Sequence, residues 1–533
     1  MRLLERLAFR VLGVQGVRTD YTVTTVRVPM RDGVELGADL FLPQREAVGT
    51  LLVRGPYGRG WALSLISARM YAARGYRVLY VSSRGTFDSG GAFDPMRDEA
   101  ADGQDVVAWM RGQPWFTGTF ATVGASYLGH TQWALLADPP PELVAAVISV
   151  GPHDFSRHAW GTGAFNLDFV GWSDMIVQAR KRQPRIPGFS GGRERELKAV
   201  TDGLPLADVA DAYFQGEAPW FRYRVTHPDL TDPYWAPMQH ADALERVTVP
   251  VLLISGWQDI FLGQSMEQYR RLRERGVDVA LTVGPWTHID VIAKGARETT
   301  PQVMGWLDEH LAGRGEQGRG EQGRGERGRA TPVRVFVTGA GEWRDLPDWP
   351  PATTEREVRL HGDRWSFDFD PADPTPTVGG PLIAGGGVVD DSALASRNDV
   401  LAFTGEALTA DLDVLGAPSV ELAHSTDNPH ADLFVRISDV DPKGVSRNVT
   451  EGYLRLDPER GEEPVHLTLL PAAHRFLAGH RVRVLIAGGC HPRFARNLGT
   501  GENPGTGTEL RSARHTVRPG GAVLRIPVLT GEA

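Results

Sequence analysis

The stretch Phe120-Ala-Thr-Val-Gly-Ala-Ser-Tyr-Leu-Gly129 decides the fold class of this chain. An apolar run typical of a buried strand leads directly into Ser126, and a helix-like stretch that includes Trp133 to Ala137 follows. A strand, a sharp turn and a helix in this order present a serine hydroxyl at the edge of an α/β sheet. The usual elbow has glycine two residues after the serine, whereas here Leu128 takes that position and glycine comes at 129.

A second serine fits the strict Gly-x-Ser-x-Gly pattern, in Gly188-Phe-Ser-Gly-Gly192. It follows a basic, proline-broken segment from Lys181 to Pro187, so no predicted strand leads into it. Because the motif works only at a strand-to-helix turn, Ser126 is the predicted nucleophile and Ser190 the rejected alternative.

Short apolar runs separated by helical patterns lie on both sides of the opening stretch. They predict a largely parallel sheet covered by helices on both faces. The runs are Thr50 to Val53, Arg77 to Val81, Phe120 to Val123, Val144 to Val150, Val249 to Ser255 and Val277 to Val283. Two strand-like segments joined around Asp32-Gly33 predict an antiparallel hairpin before them.

The 533 residues are too many for one core, so several domains are expected. We predict an α/β-hydrolase domain at 1–151 and 245–312, with a helical cap inserted at 152–244. A Gly-Arg-Glu repeat at 313–330 has almost no apolar content and is expected to be a flexible linker or loop. Beyond it, from 331 to 533, alternating strands that start with Val333-Arg-Val-Phe-Val337 predict a β-sandwich of jelly-roll type.

Composition excludes several classes of function. With 57 Lys and Arg against 66 Asp and Glu, the net charge of −9 disfavours nucleic acid as a partner. No apolar run approaches the ~20 residues that span a membrane. The only cysteine, Cys490, cannot form an internal disulfide, which favours a cytoplasmic location, although secretion stays open. No metal-ligand spacing and no phosphate-binding loop is present, so neither a metal nor another cofactor is expected.

A serine nucleophile needs a histidine base and an acid that orients it, and in α/β-hydrolases they follow in the order Ser, Asp or Glu, His. The run that ends at Ser255 continues into Gly256-Trp-Gln-Asp259, so Asp259 follows a buried strand. The next strand runs into Gly284-Pro-Trp-Thr-His288. We therefore predict a Ser126, Asp259 and His288 triad. The alternative acids and bases are Asp290, His153 and Asp154.

Two donors must stabilise the oxyanion of the acyl-transfer intermediates. One is normally the backbone N–H after the nucleophile, which here belongs to Tyr127. The second is expected after the strand that ends at Val53, where Arg54-Gly-Pro-Tyr-Gly58 offers the phenol of Tyr57. The alternative for Tyr57 is that it packs against the cap with its hydroxyl in water.

The chain resembles the cocaine-esterase and X-Pro dipeptidyl-peptidase family of serine hydrolases over nearly its whole length. The markers are Met30-Arg-Asp-Gly33, Ala38-Asp-Leu-Phe41, Gly55-Pro-Tyr57, Ser83-Arg-Gly85, Trp115, Gly124-x-Ser-Tyr-x-Gly129, Gly256-Trp-x-Asp259, Gly284-Pro-Trp-x-His288, Arg496-Asn497 and Thr500-Gly-Glu502. The resemblance implies the same triad, the Tyr57 and Tyr127 oxyanion hole, the cap and the jelly roll, and it accounts for the displaced glycine at the elbow.

In the branch of this family that takes amino-acid esters, acidic residues just after the triad Asp help to hold the substrate's ammonium group. Here those positions are Phe261 and Leu262, which cannot compensate a buried cation. The chain therefore resembles the esterase branch, and we expect Phe261 with Trp160 and Trp172 to shape an apolar pocket for the acyl group.

Three functions remain open at this point. The first is hydrolysis of a carboxylic ester or related acyl bond, such as a small ester, amide or short peptide, through an acyl-serine. The second is an X-Pro dipeptidyl-peptidase, which needs a cap carboxylate for the peptide's amino terminus, with Asp154, Asp168 and Asp174 as candidates. The third is an inert binding protein. The sequence leaves the oligomeric state open, a homo-oligomer included.

Overall fold

The structure is a computed structural model that describes residues 3–14, 18–181, 191–313, 331–461 and 463–529. Ser190 and, apart from Gly313, the predicted linker at 313–330 lie outside the described residues. Within the described ranges, no helix combines the length and apolar character that crossing a bilayer requires.

A ten-stranded, mostly parallel sheet contains the strand that leads into Ser126. Its strands are β1 (Tyr21–Pro29), β2 (Glu35–Pro43), β3 (Thr50–Gly55), β4 (Arg77–Ser82), β5 (Phe120–Ala125), β6 (Leu143–Ser149), β7 (Val251–Gln258), β8 (Val279–Thr287), β9 (Val333–Val337) and β10 (Glu342–Leu346). They lie side by side in the order β1-β2-β4-β3-β5-β6-β7-β8-β9-β10. The predicted hairpin is confirmed, because β1 and β2 pair antiparallel and Gly33 adopts a positive φ of 84° in their turn.

Helices cover both faces of this sheet, as predicted. They and the later helices are α1 (Leu3–Val11), α2 (Trp61–Ser64), α3 (Met70–Ala73), α4 (Glu99–Arg111), α5 (Tyr127–Leu136), α6 (Phe155–Trp160), α7 (Asp168–Arg180), α8 (Gly191–Asp202), α9 (Leu206–Phe214), α10 (Trp220–Thr226), α11 (Ala243–Arg246), α12 (Leu262–Glu274), α13 (Ala296–His310) and α14 (Ser392–Ala395). Leu51 and Leu52 of β3 belong to different apolar cores, one shared with α3 and α13 and the other with α4, α5 and α12. Alternate residues of one strand thus pack on opposite faces.

The helices α6 to α11 form a cap inserted between β6 and β7. Aromatic side chains dominate its core, with Trp160, Trp220 and Phe221 all buried. The two ends of the insertion are joined, because the backbone N–H of His240 donates to the carbonyl of His153 at 2.8 Å. The cap therefore leaves and rejoins the sheet at one place, next to the ends of the strands that precede it and follow it.

The C-terminal part is a β-sandwich of a seven-stranded and a four-stranded sheet. Its strands are β11 (Thr353–Arg359), β12 (Ser366–Phe369), β13 (Val400–Thr404), β14 (Leu412–Gly416), β15 (Ser419–Thr426), β16 (Asp432–Val440), β17 (Ser446–Arg455), β18 (Val465–Thr468), β19 (Ala472–Phe476), β20 (Arg481–Ala487) and β21 (Ala513–Leu529). Leu422 and Leu524 from one sheet share a core with Leu433 and Ile486 from the other, so the sandwich is closed by apolar burial.

Two strands of the region 331–533, β9 and β10, lie in the ten-stranded sheet and not in the predicted sandwich. The segment Val333–Val337 was expected to open the sandwich, but as β9 it pairs parallel with β8, with Val333 opposite Leu281. Its valines are fully buried in a core of the ten-stranded sheet, whereas Arg334 and Phe336 are half-buried. The alternating pattern correctly indicates a strand with one covered face, but it carries no information about which strand pairs with it.

Candidate active site

Ser126 occupies the turn between β5, which ends at Ala125, and α5, which begins at Tyr127. Its φ of 61° and ψ of −122° are unusual for a residue with a side chain, and such strain clusters at functional sites. The backbone N–H of Ser126 donates to the carbonyl of Ser149 on β6 at 2.9 Å, which fixes the turn against the sheet. The serine hydroxyl is therefore held at the end of the strand by backbone geometry.

The displaced glycine of the elbow has a packing explanation. A Cβ at Gly129 would lie 2.6 Å from the Cα of Gly151, so α5 passes the segment after β6 too closely for any side chain. The residue at the usual glycine position, Leu128, instead packs over Gly55 and Gly124, where a Cβ would meet its side chain at 2.4 and 2.5 Å. The glycine that lets the helix pass close to the neighbouring strand end is therefore at 129, one residue later than in the usual elbow.

The structure brings the three predicted triad residues together. The Ser126 Oγ lies 2.8 Å from the His288 Nε2, and the His288 Nδ1 lies 2.7 Å from the Asp259 Oδ1. Asp259 follows β7 and His288 follows β8, two adjacent parallel strands whose carboxyl ends share one edge of the sheet. Asp259 is fully buried and His288 is 4% exposed, so water competes little for these hydrogen bonds.

A fourth side chain, which sequence reasoning missed, contacts this group. Ser255 on β7 donates its hydroxyl to the Asp259 Oδ2 at 2.9 Å, while His288 occupies the Oδ1. Both carboxylate oxygens therefore have a partner. The sequence does contain one feature that could have indicated Ser255: it is the polar residue that ends the apolar run Val251-Leu-Leu-Ile-Ser255, four residues before Asp259.

The two predicted oxyanion donors lie next to each other. Burial raises the pKa of Tyr57, while hydrogen bonding of its phenol oxygen with Ser126, Trp172 and the backbone N–H of Tyr127 opposes that rise. The Trp172 indole N–H lies 3.3 Å from the Tyr57 hydroxyl. The phenol thus does not point into water, and it adjoins both the nucleophile and the N–H that follows it.

The side chain of Tyr127 is held by a buried ion pair below the elbow. Its hydroxyl donates to the Glu99 Oε1 at 2.9 Å and accepts from the backbone N–H of Met96 at 2.7 Å. Glu99 in turn forms a 2.7 Å ion pair with Arg54, and both side chains are about 5% exposed or less. Burial raises the pKa of Glu99, and the charge of Arg54 is the largest influence that opposes this rise.

A small, largely apolar pocket opens at Ser126. The predicted pocket residues Trp172 and Phe261 line it, together with Tyr57, Phe155, Phe169 and Ile383. Ile383 comes from the segment between β12 and β13, so the C-terminal part of the chain contributes to the pocket, which no local sequence signal indicated.

The prediction for Trp160 is wrong. This residue is 3% exposed, packs in the cap core with its ring centroid 5.2 Å from that of Phe165, and does not line the pocket. Its indole N–H donates to the backbone carbonyl of Arg224 at 2.7 Å, which holds the ring inside the cap. The aromatic composition of the cap indicated burial but not the direction in which each ring faces.

The alternative acids and bases have other partners. Asp290 forms an ion pair with Lys294 at 3.1 Å. The ring of His153 lies 3.1 Å from the Gln268 amide, and Asp154 accepts from the Arg157 backbone N–H at 3.2 Å as the N-cap of α6. None of the three is hydrogen-bonded to Ser126 in the described part of the chain.

Of the remaining cap carboxylates, Asp174 is already ion-paired with Arg193 and accepts from the Tyr213 hydroxyl at 3.0 Å. Asp168 is different, because within the described ranges its carboxylate has a single hydrogen bond, from the backbone N–H of the pocket residue Ile383 to the Oδ2 at 3.4 Å. Burial raises the pKa of Asp168 to about 6, against the opposing charge of Arg493. Among the described residues, no group of three or more His, Cys, Asp or Glu is arranged to hold a metal ion.

Comparison with known proteins relates both parts of the chain to one family. Residues 32–290 match the family model of the X-Pro dipeptidyl-peptidase (S15 family), and residues 327–523 match that of the X-Pro dipeptidyl-peptidase C-terminal non-catalytic domain. The chain is 29% identical to the cocaine esterase of a Rhodococcus species over 546 residues, which cover 90% of this chain and 93% of that protein. It is 25% identical to a putative serine esterase of Mycobacterium bovis, over 88% of this chain and 90% of the relative.

Solved structures share the fold. An α-amino acid ester hydrolase superposes with a TM-score of 0.80 at 23% identity, covering 96% of this chain and 97% of that one. An aminopeptidase from a marine-sediment Thaumarchaeota archaeon also gives a TM-score of 0.80, at 22% identity and with the same coverage. The two family matches and the similarity to the cocaine esterase show that the chain is an enzyme that hydrolyses ester or peptide bonds, and that it belongs to the cocaine-esterase and X-Pro dipeptidyl-peptidase family of serine hydrolases.

Proposed function

We propose that this enzyme hydrolyses carboxylic esters with an apolar, aromatic acyl group, through an acyl-Ser126 intermediate. The observation that carries the proposal is the 2.8 Å contact between the Ser126 Oγ and the His288 Nε2 at the mouth of an aromatic pocket. A serine, a histidine and an acid in this arrangement activate the hydroxyl for attack on a carbonyl.

In the acylation step, His288 accepts the Ser126 proton while the Oγ attacks the ester carbonyl carbon. The resulting oxyanion lies between the Tyr57 hydroxyl and the Tyr127 backbone N–H, whose preorganised dipoles stabilise it. His288 then gives the proton to the departing alcohol oxygen, and the acyl group remains on Ser126. Asp259 keeps the His288 Nδ1 protonated and stabilises the imidazolium that forms in each step.

In the deacylation step, His288 takes a proton from water, and the hydroxide attacks the acyl carbon. The second tetrahedral oxyanion uses the same two donors. When it collapses, the Ser126 oxygen leaves and recovers its proton from His288, and the carboxylic acid is released. The reaction therefore needs no group beyond the five residues named.

The apolar acyl pocket favours an ester over a substrate with a free amine. The residues after Asp259 are Ile260 and Phe261, which line the pocket and bring no negative charge to it. A second candidate function, release of an X-Pro dipeptide, is supported by Asp168, the cap carboxylate that contacts the pocket residue Ile383. That carboxylate is already influenced by the positive charge of Arg493, which weakens its attraction for a substrate ammonium group.

The test compares 4-nitrophenyl benzoate with an X-Pro 4-nitroanilide, using the wild type and Ser126→Ala. We expect the ester to be preferred and Ser126→Ala to lose about 10⁴- to 10⁶-fold in turnover. A preference for the free-amine anilide would reverse the order of the two candidates. Absence of any Ser126-dependent hydrolysis would favour the inert binding protein. We also propose a cytoplasmic location, on the ground that Cys490 is the only cysteine.

A further inference from the structure

A second imidazole, outside the triad, faces the active-site pocket. His158 lies on α6 and lines the same pocket as Ser126. Its ring centroid is 4.7 Å from that of Phe261, whose ring is in turn 5.4 Å from that of His288. One aromatic side chain therefore separates His158 from the catalytic histidine proposed above.

The side chain of His158 is half-buried, and its ring nitrogens form no hydrogen bond with any residue that the structure describes. Among the histidines of the interior, His130 is bonded to the carbonyl of Pro152 at 3.2 Å, whereas the buried Nε2 of His240 has no hydrogen bond in the described residues. A polar side chain that lines an aromatic pocket and has no protein partner can exchange its hydrogen bond to water for one to a bound ligand. Pockets that bind small molecules use a few such groups to orient the ligand.

The charge state of His158 limits what it can bind. Burial lowers its pKa to about 3, and the nearby charges of His288 and Arg493 act in the same direction. The ring is therefore neutral near pH 7, and a neutral imidazole has one N–H donor and one acceptor nitrogen. It suits an uncharged group that both donates and accepts, such as a hydroxyl.

The surrounding charges disfavour a cation at the same place. The carboxyl of Asp168 lies under the influence of Arg493 and His288, so its negative charge is already balanced in part. A substrate ammonium group would meet the imidazolium that forms on His288 in the transition state. A neutral hydroxyl does not meet this repulsion.

We propose that His158 is a specificity-determining residue that hydrogen-bonds a hydroxyl on the acyl ring, so that esters of hydroxylated aromatic acids are the preferred substrates. The inference rests on the proposed esterase function. With the ester carbonyl at Tyr57 and the Tyr127 N–H, the acyl ring would occupy the pocket, whose lining also includes His158.

The test measures kcat/KM for 4-nitrophenyl benzoate and for its 2-, 3- and 4-hydroxybenzoate analogues. Each value is divided by the rate constant for imidazole-catalysed hydrolysis of the same ester at the assay pH, which is kept below the pKa of the substrate phenol, so that electronic effects of the neutral hydroxyl are removed. The variants are His158→Leu and His158→Gln, and His466→Leu is the control because His466 lies on β18 and does not line the pocket.

For the wild type we expect at least one hydroxybenzoate to be favoured over benzoate by about tenfold, the effect of one neutral hydrogen bond. The ratio should fall to about one in His158→Leu, remain partly in His158→Gln and stay at the wild-type value in His466→Leu. If His158→Leu does not fold, the wild-type ratio and His158→Gln decide. A wild-type ratio near one for all three isomers, or an unchanged ratio in the folded His158 variants, overturns this inference alone. Failure to hydrolyse any of the four esters overturns the proposed function as well.

Discussion

Ser255 donates its hydroxyl to Asp259 at 2.9 Å, on the carboxylate oxygen that His288 leaves free. The hydrogen bond joins two residues at the end of β7, so the strand itself orients the acid. A carboxylate with both oxygens bound cannot rotate away from the imidazole, and Ser255 is therefore a positioning residue for the proposed triad.

Ser255→Ala should lower kcat by about 3- to 10-fold, because the Asp259 carboxylate loses a charge-assisted hydrogen bond. KM should stay near the wild-type value, because Ser255 does not line the pocket. Ser173→Ala is the control, because Ser173 accepts from the Trp220 indole in the cap. Equal kcat values for Ser255→Ala and the wild type would show that Ser255 does not position Asp259.

Tyr57→Phe should lower kcat by about 10²- to 10³-fold on an activated ester with little change in KM, because the lost donor acts on the oxyanion. Steady-state kinetics with 4-nitrophenyl acetate measure this. Tyr71→Phe is the matched control, since Tyr71 is buried in the core that α3 and α13 share and does not line the pocket. Equal rates for Tyr57→Phe and the wild type would remove the phenol from the oxyanion hole.

Glu99→Gln should reduce the free energy of unfolding by about 3–5 kcal/mol, because it leaves the Arg54 charge buried without its partner. Urea denaturation followed by fluorescence gives the value. Glu142→Gln serves as the control, since Glu142 is paired with the half-exposed Arg111 and should cost about 1 kcal/mol or less. Similar losses in the two variants would contradict the assignment of a strong buried pair below the elbow.

Three buried histidines at the base of the cap should make stability depend on pH. His130, His153 and His240 each have a buried Nε2 without a hydrogen bond in the described residues, and the His130 and His240 ring centroids are 5.0 Å apart. Burial lowers their pKa values to about 4, about 4 and about 3. Nearby arginines also lower the pKa values of two of these histidines: Arg224 acts on His130, and Arg157 and Arg271 act on His153. Two carboxylates act in the opposite direction, Glu267 on His153 and Asp242 on His240.

In the unfolded chain these imidazoles bind protons below about pH 6.5, whereas in the folded chain they stay neutral down to about pH 4. Folding stability is therefore lost as the pH falls from about 6.5 toward 4. We expect His240→Gln to reduce the slope of the unfolding free energy in this window. Parallel curves for the variant and the wild type would show that His240 does not titrate on unfolding.

Local patterns predicted the parts of the site that follow strands directly. Ser126, Asp259 and His288 each come immediately after a strand that the apolar runs indicated, and the carboxyl ends of those strands share one edge of the sheet. The three triad residues could therefore be predicted from the strands alone, without knowing how the cap folds.

Features that depend on packing between distant segments were not predictable in the same way. The pairing of Val333–Val337 with β8, the inward direction of Trp160 and the contribution of Ile383 each arise from contacts far along the chain. Alternation and composition report that a residue is buried but not which partner buries it. The buried pair of Arg54 and Glu99 was missed for the same reason, since a charge early in a helix usually faces water.

The central claim is that Ser126 is a nucleophile activated by His288. Labelling of the folded protein with a fluorophosphonate, followed by mass spectrometry of the peptide that carries Ser126, tests it most directly. The account predicts one adduct per chain on Ser126 in the wild type, none in Ser126→Ala, and labelling slowed by about 10³-fold or more in His288→Ala. An unlabelled Ser126 in folded wild-type protein, or labelling that is equally fast without His288, would contradict it.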